Sequence, residues 1–313
     1  MRISRLSQDN MRTQGVSRRA WYRAHSPEHL ARMANLTRAA VDGAPDDGVR
    51  AAVVLGAGAC TEIPLRWLCE HCARVTLVDV DERAMAYARD ELPASLRSRL
   101  RIVTADLTGG VSQALERELV AQPWTELARL TGASGRAPLD AATTCLERCE
   151  IPTPPAIPAL PPHEFSVVIS DRALTQLFGL PLLDALDTLM LYAPDAADSR
   201  DSYPRYASAA RDFRRRIALA HLALMTSLAA PGASALLLTD VRGYLLAPEE
   251  GPHAGEIETL DVLPAASLDL NADVGAYFAD VTVSPPWRWT LSLARDGTPG
   301  RAYDVVGVSG RAR

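Results

Sequence analysis

The sequence predicts an α/β fold, a mostly parallel sheet doubly wound by helices, and three observations predict it. Short apolar runs at 51–55, 75–79, 100–105, 165–169 and 233–239 alternate with helical patterns, as expected for strands joined by right-handed crossovers. The first run ends in a glycine turn, Leu55-Gly-Ala-Gly58, and a helical pattern begins at once. The second run closes on an acid, Asp79. A glycine turn lets backbone and ligand approach closely, and an acid about twenty residues further on suits a ribose diol. A dinucleotide motif would carry a third glycine where Thr61 stands, so the turn alone leaves the ligand open.

The elements follow in order. Residues 1–50 read as a helical leader. Ser26-Pro27-Glu28 supplies an N-cap and a proline at the first helical position, Leu30, Met33, Leu36 and Val41 mark one face, and Gly43 ends the helix. Ahead of it, Trp21, Tyr22 and His25 either cover a ligand mouth or pin the leader to the core; amphipathic aromatics favour pinning. The domain proper spans 51–313. Its first helix runs to about Cys72, and Asp81 caps the second, which buries Met85, Ala88 and Leu92. The third strand ends at Asp106, before Gly109-Gly110 and a helix to about Ala121. Residues 122–163 break the alternation, with a helical pattern near 139–149. The stretch Ile151–Pro162 is dense in proline, which suits an extended surface insertion rather than a packed element. Strand 165–169 leads to Ser170-Asp171, a helix to Tyr192, a polar loop 193–206, and a long helix 207–229 before the fifth strand and Asp240. A short helix near 272–279 and two strand patterns around Asp296-Gly297 close the chain as an antiparallel hairpin.

Composition narrows the function. The chain has 313 residues, 48% hydrophobic, and a net charge of −5. That charge argues against a general grip on nucleic acid, which needs uncompensated cations. Every one of the 33 cationic residues is arginine, so neither a Schiff-base lysine nor a phosphate-loop lysine is available. The sequence shows no apolar run of about twenty residues and no signal-peptide pattern, which predicts a cytoplasmic protein without a membrane partner. The five cysteines include two short pairs, Cys69/Cys72 and Cys145/Cys149. Four thiolates suit zinc, but helical placement suits packing, and the expectation is no metal and no disulfide.

With these residues in view, the chain resembles the class I S-adenosylmethionine-dependent methyltransferases. The resemblance rests on Leu55-Gly-Ala-Gly58, Val78-Asp-Val-Asp81, Thr104-Ala-Asp106, Ser170-Asp171, Leu228-Ala-Ala-Pro-Gly232 and the terminal hairpin. It covers 51–313 apart from the insertion. It implies a seven-stranded sheet whose last hairpin inserts one antiparallel strand, and S-adenosylmethionine as cofactor. It implies that Gly56, Ala57 and Gly58 pass the methionine part, that Asp79 and Val80 hold the ribose side, that Asp106 and Leu107 meet adenine, and that Ser170 and Asp171 floor the sulfonium. Glu62 either meets the cofactor's ammonium or sits in a helix first turn.

Methyl transfer from a sulfonium needs alignment more than acid–base chemistry. Asp171, at a strand end, either faces the ligand or caps the next helix; Asp240 and His163, His221 and His253 are further base candidates, with His221 reading as packing. Tyr203 and Tyr206 either hold the sulfonium by cation–π contact or anchor their loop. Arg211, Arg214, Arg215 and Arg216 form a basic run that reads as a solvated face. The classes left open are a methyltransferase of a small-molecule substrate, an enzyme attacking the cofactor's aminobutyrate carbon, and a cofactor-binding protein without turnover. The oligomeric state is not readable.

Overall fold

In a computed structural model, residues 21–45, 49–130, 136–247, 257–260, 267–294 and 299–313 are described. His253 and the Asp296-Gly297 turn lie outside them.

The sheet is built as the alternation predicts. Strands β1 (Ala51–Leu55), β2 (Arg74–Asp79), β3 (Leu100–Thr104) and β4 (Phe165–Asp171) pair in parallel in the order β3-β2-β1-β4. The runs of β1, β2 and β4 are largely apolar on both faces because helices cover both; β1 and β4 are buried along their whole length, while the edge strand β3 leaves Arg101 and Thr104 exposed. Chain order reverses between β1 and β4, where Leu55 pairs with Ser170. That reversal opens the crevice in which ligands of such sheets bind.

The other half of the sheet is antiparallel. Strand β5 (Ala229–Leu246) runs parallel to β4 and then continues far beyond it. Strand β9 (Gly300–Ala312) lies antiparallel between β5 and β7 (Phe278–Val283). The seven-strand path β3-β2-β1-β4-β5-β9-β7 is the one the resemblance implied. Two short strands, β6 (Ile257–Leu260) and β8 (Trp287–Ser292), extend it along the outer ends of β5 and β9. Asp240 therefore does not end β5: the strand bulges between Asp240 and Arg242 and carries on. A bulge of this kind re-aims a side chain without ending the pairing.

Helix α1 (Pro27–Asp42) forms where the leader predicts it, with Met33 and Val41 buried. Ser26 makes no side-chain cap; its hydroxyl instead donates to the Thr290 carbonyl on β8. Tyr22 is fully buried, edge-on to Trp289, so the aromatic leader is pinned to the terminal hairpin. Helix α2 (Leu65–His71) starts later than predicted, because Pro64 disfavours helical backbone at the residue before it. Residues 56–64 are thus a long turn, and Glu62 lies in it rather than in a helix.

The middle of the chain corrects a second expectation. Helices α3 (Glu82–Asp90), α4 (Ala94–Arg97) and α5 (Val111–Val120) follow the pattern, and Asp81 caps α3 through Arg83 and Ala84. Residues 122–163 are not a loose surface insertion. They form α6 (Trp124–Leu130) and α7 (Arg136–Arg148), whose Leu139, Ala142, Cys145 and Leu146 are buried with Phe178 and Phe213 of the neighbouring helices. Even the proline run contributes, since Ile157 and Leu160 enter the main core. Apolar residues spaced among prolines can be buried without regular structure when other groups hold the backbone; Arg101 donates to the Ala159 carbonyl.

Helix α8 (Leu174–Tyr192) is long and apolar enough to cross a membrane by length and composition, a candidate span the sequence reading did not foresee. One face of it, with Phe178, Ala185 and Leu189, packs inside the protein. Helix α9 (Pro194–Ser199), a 3₁₀ turn (Arg200–Ser202) and α10 (Pro204–Leu228) lead to β5, and α11 (Ala272–Tyr277) leads to β7. Two of the four arginines of the α10 run act as a clamp, while Arg211 is solvated as expected. Arg215 makes a two-nitrogen pair with Asp273, and Arg216 donates to the Leu146 and Cys149 carbonyls at the end of α7.

All five cysteines are free and buried. Cys69 and Cys72 lie in a different core cluster from Cys145 and Cys149. Burial pushes the thiols of Cys69, Cys145 and Cys149 up to about 11.

Candidate functional site

The glycine turn is tied to the end of β2. The Gly56 and Ala57 amides both donate to the Val78 carbonyl, and the Gly58 amide donates to Asp79 Oδ2 at 2.9 Å. Asp79 Oδ1 accepts from the Asp81 amide at 2.9 Å. Each oxygen keeps a second lone pair, so a diol can still bind the half-buried carboxylate. Burial raises the Asp79 pKa against those backbone bonds. Gly56 and Gly58 both have positive φ, for different neighbours. A Cβ on Gly56 would lie 2.8 Å from Ala173 Cβ, whereas one on Gly58 would meet nothing within 4 Å. Gly56 packs the turn against β4, and Gly58 faces open space beside Asp79 and the exposed Val80.

The other predicted contacts are placed less simply. Asp106 is engaged by its own loop: Oδ1 accepts from the amide and hydroxyl of Thr108, and Oδ2 from the Gly110 amide. Leu107 is buried in the core with Val53 and Val78. Ser170 is fully buried and bonded to His221 Nε2 at 2.8 Å. Burial lowers the His221 pKa to about 4, which keeps it a neutral packing residue. His163 bonds the Ala229 carbonyl at the strand start.

Tyr203 and Tyr206 are not brought to Asp171. The Tyr203 hydroxyl donates to Asp140 on α7, and Tyr206 is buried among the helices. Tyr206 precedes His221, the partner of Ser170, by about four turns of α10, or ~22 Å along the axis. Both tyrosines anchor the α9–α10 corner.

What gathers at the carboxyl end of β4 is a buried polar cluster that sequence reasoning did not assemble. Glu62 has a side chain with no exposure. Its Oε2 meets His29 Nε2 at 3.0 Å, and its Oε1 meets Arg172 Nη2 at 2.5 Å. Trp287 Nε1 donates to His29 Nδ1 at 3.0 Å. An indole nitrogen only donates, so His29 Nδ1 carries no proton and Nε2–H points at Glu62. The geometry therefore holds His29 neutral, and burial lowers its pKa in the same sense, against the pull of Glu62. Burial works against the charge of Glu62, but Arg172 and the His29 hydrogen bond outweigh it, and its pKa is lowered.

Arg172 adopts the left-handed region, φ 47°. Its guanidinium carbon stacks 4.0 Å over the Trp289 ring, and its Nε lies 3.6 Å from Asp171 Oδ1, an ion pair too long for a good hydrogen bond. Asp171 Oδ1 and Asp240 Oδ1 are buried and accept no hydrogen bond among the described residues. Burial, then the charge of Glu62, raise Asp171 to about 7 despite Arg172; burial raises Asp240 to about 6. Glu62 and Arg172 neutralise each other, so two further carboxyl groups sit at this edge without a cation of their own.

No family model matches the chain, and no curated protein does. Solved structures do. The chain is similar to an S-adenosylmethionine-dependent methyltransferase from Aquifex aeolicus, at 11% identity over 85% of each chain with a TM-score of 0.36. It is similar to a methyltransferase described as putative from Bacillus halodurans, at 9% identity over 89% of this chain and 97% of that one, TM-score 0.40. A glycopeptide N-methyltransferase in complex with S-adenosylmethionine matches at 10% identity over 90% of this chain and 94% of that one, TM-score 0.36.

The long-range partners explain what sequence reading missed. Glu62, His29, Arg172 and Trp287 come from four separate elements, and no spacing links them. A buried acid in a glycine turn was one available signal, and a left-handed arginine after a strand is visible only in structure. Among the described residues, no three His, Cys, Asp or Glu side chains are placed to share a metal ion.

Proposed function

We propose that the chain binds S-adenosylmethionine in the crevice between β1 and β4 and transfers its methyl group to a small-molecule acceptor. One observation carries the reading: open space over Gly58 beside the ribose-competent Asp79, in a turn whose Gly56 packs on the end of β4 at Asp171, a buried carboxyl group that shares one cation with Glu62 and Asp240. A ligand with a diol at one end and positive charge at the other fits that order. The residues also fit in their detail, since Val80 is exposed beside the diol position and a Cβ at Gly58 would enter the crevice. Asp79 would hold the ribose, the turn 56–58 would let the methionine part pass, and Asp171 would face the reacting end. The cofactor supplies an activated methyl group, and the protein supplies alignment and exclusion of water. The alternative chemistry at the aminobutyrate carbon was motivated by a tyrosine beside the cofactor's ammonium. Tyr203 is bonded to Asp140 and Tyr206 is buried elsewhere, which favours methyl transfer.

Two results test the reading. Asp79→Asn is expected to weaken S-adenosylmethionine binding by about 1.5–3 kcal/mol, the value of a hydrogen bond to a charged group, as read by calorimetry. Unchanged affinity would remove the assignment. Chromatography is expected to give S-adenosylhomocysteine only when an acceptor from cell extract is present; methylthioadenosine from cofactor alone would select the other chemistry.

The two glycines are expected to separate fold from binding. Gly56→Ala forces a methyl group against Ala173 in a left-handed turn and should lower unfolding stability by roughly 1–3 kcal/mol. Gly58→Ala carries only the conformational cost of about 1–2 kcal/mol, yet its methyl enters the crevice and should abolish measurable cofactor binding. Denaturant melts and calorimetry on the same samples check both; equal effects on stability and binding at the two positions would contradict the different roles.

A further inference from the structure

The proposed cofactor changes charge when it reacts: a sulfonium becomes a neutral thioether, while its ribose, adenine and amino-acid end are unchanged. The protein carries a feature that can read this difference. Asp171 is 7% exposed and Asp240 is 8% exposed, and an oxygen of each accepts no hydrogen bond among the described residues. One cation, Arg172, 3.6 Å from Asp171, serves both of them and Glu62 as well, so one positive charge faces three carboxyl groups. Arg172 is held by Glu62 at 2.5 Å and by the face of Trp289. His29 is held neutral between Trp287 and Glu62, and His221 lies beneath Ser170 as a neutral group. Tyr22 is buried edge-on to Trp289 and adds no positive charge. Uncompensated carboxylates this deep cost several kcal/mol unless they take up a proton or a cation.

Position links these groups to the reacting centre. A ribose at Asp79 lies on the β2 side of the glycine turn, because Asp79 bonds Gly58. The β4 side of the same turn is Asp171, whose carbonyl lies 3.3 Å from where a Cβ on Gly56 would be. The substituent at the 5′ carbon must run between these sides, and in S-adenosylmethionine it begins with the sulfonium. Asp240 stands on the adjoining strand, two residues beyond the partner of Asp171.

We infer that Asp171 and Asp240 form a charge-selective seat for the sulfonium, so that the protein binds S-adenosylmethionine more tightly than S-adenosylhomocysteine and releases the product because its positive charge is gone. The inference rests on the cofactor reading above. It goes further by assigning Asp240 and by making loss of charge the signal for product release.

Calorimetry with the two pure nucleosides tests it on the intact protein at about pH 7.5. The parent is expected to prefer S-adenosylmethionine by at least roughly tenfold, the factor a single opposite charge within about 4–6 Å exerts on a proton equilibrium. Asp171→Asn with Asp240→Asn is expected to bring the ratio close to one while S-adenosylhomocysteine still binds. A second route needs no substitution. At about pH 5, where both carboxyl groups are protonated in the free protein and Glu62 and Arg172 keep their charges, the parent's preference is expected to fall. The two failures differ. A parent that binds neither nucleoside overturns the cofactor reading itself. A parent that binds both equally, or a double variant that binds both with the preference intact, overturns the charge-selective seat alone.

Discussion

Replacing Asp171 and Asp240 together by asparagine is expected to stabilise the ligand-free protein at pH 8 by several kcal/mol, and to give no such gain at pH 4. The sign follows from burial. Both groups have folded pKa values raised above the usual carboxylate value, to about 7 and about 6. An acid with a raised folded pKa favours the folded state fully only below its unfolded pKa, near 3.9. That contribution is lost as pH rises through the folded value, and each unit of difference is worth about 1.4 kcal/mol. The two groups interact, so the contributions are not a simple sum. Denaturant unfolding of parent and double variant at pH 4, 6 and 8 would show the gap opening between pH 4 and 7. A gap independent of pH would contradict the assignment of buried, uncompensated carboxylates. Stability gained by removing functional charge is the usual trade at a binding site.

Glu62→Ala is expected to have the opposite and comparably large effect, a loss of about 3–5 kcal/mol. The substitution removes the 2.5 Å partner of Arg172, leaving it only the longer 3.6 Å contact with Asp171, and leaves the buried His29 Nε2–H without an acceptor. It also frees the joint between helix α1, the glycine turn and the terminal hairpin. Glu62→Gln is expected to recover part of the loss, since an amide oxygen can still accept from Arg172 while its NH₂ group meets the His29 donor. Equilibrium unfolding at neutral pH measures both. A loss below about 1 kcal/mol for the alanine variant would mean that water replaces the carboxylate, and that the cluster is less enclosed than it is in the structure.

The parts of the fold legible in the sequence are those that local pattern dictates. Apolar runs of 5 to 7 residues gave β1, β2 and β4 because a parallel strand covered on both faces has no polar side to hide, and β3 shows as an edge strand with polar residues outward. Gly56, Gly58 and Asp79 were legible because a tight turn and an acid at the next strand end are local necessities. Length was less legible than position. β5 runs on to Leu246 because β9 and β6 pair with it, and that partnership is remote in sequence. The proline run 151–162 misled for a related reason: prolines exclude regular structure, but they do not exclude Ile157 and Leu160 from a core. At the site, Asp171 was legible as the end of a strand. The pairing of Glu62 with His29 and Arg172 was not, since 33 and 110 residues separate the partners. Tyr203 and Tyr206 were chosen for what aromatic rings can do. Their position was decided by the length of α10, which carries them turns away from the crevice.

The place of β9 has a consequence for how this chain is made. It follows the other described strands in sequence, yet it lies inside the sheet, between β5 and β7. During synthesis β5 emerges long before the strand that will cover its free side, and its apolar edge waits unpaired. Such edges recruit other chains. The clasp of His29 and Trp287 joins residues 258 positions apart, so the leader helix can pack on β4 and β5 well before β8 is made to lock it. Assembly on the ribosome can complete the β3-β2-β1-β4 half early, but the antiparallel half is committed only once β9 has emerged.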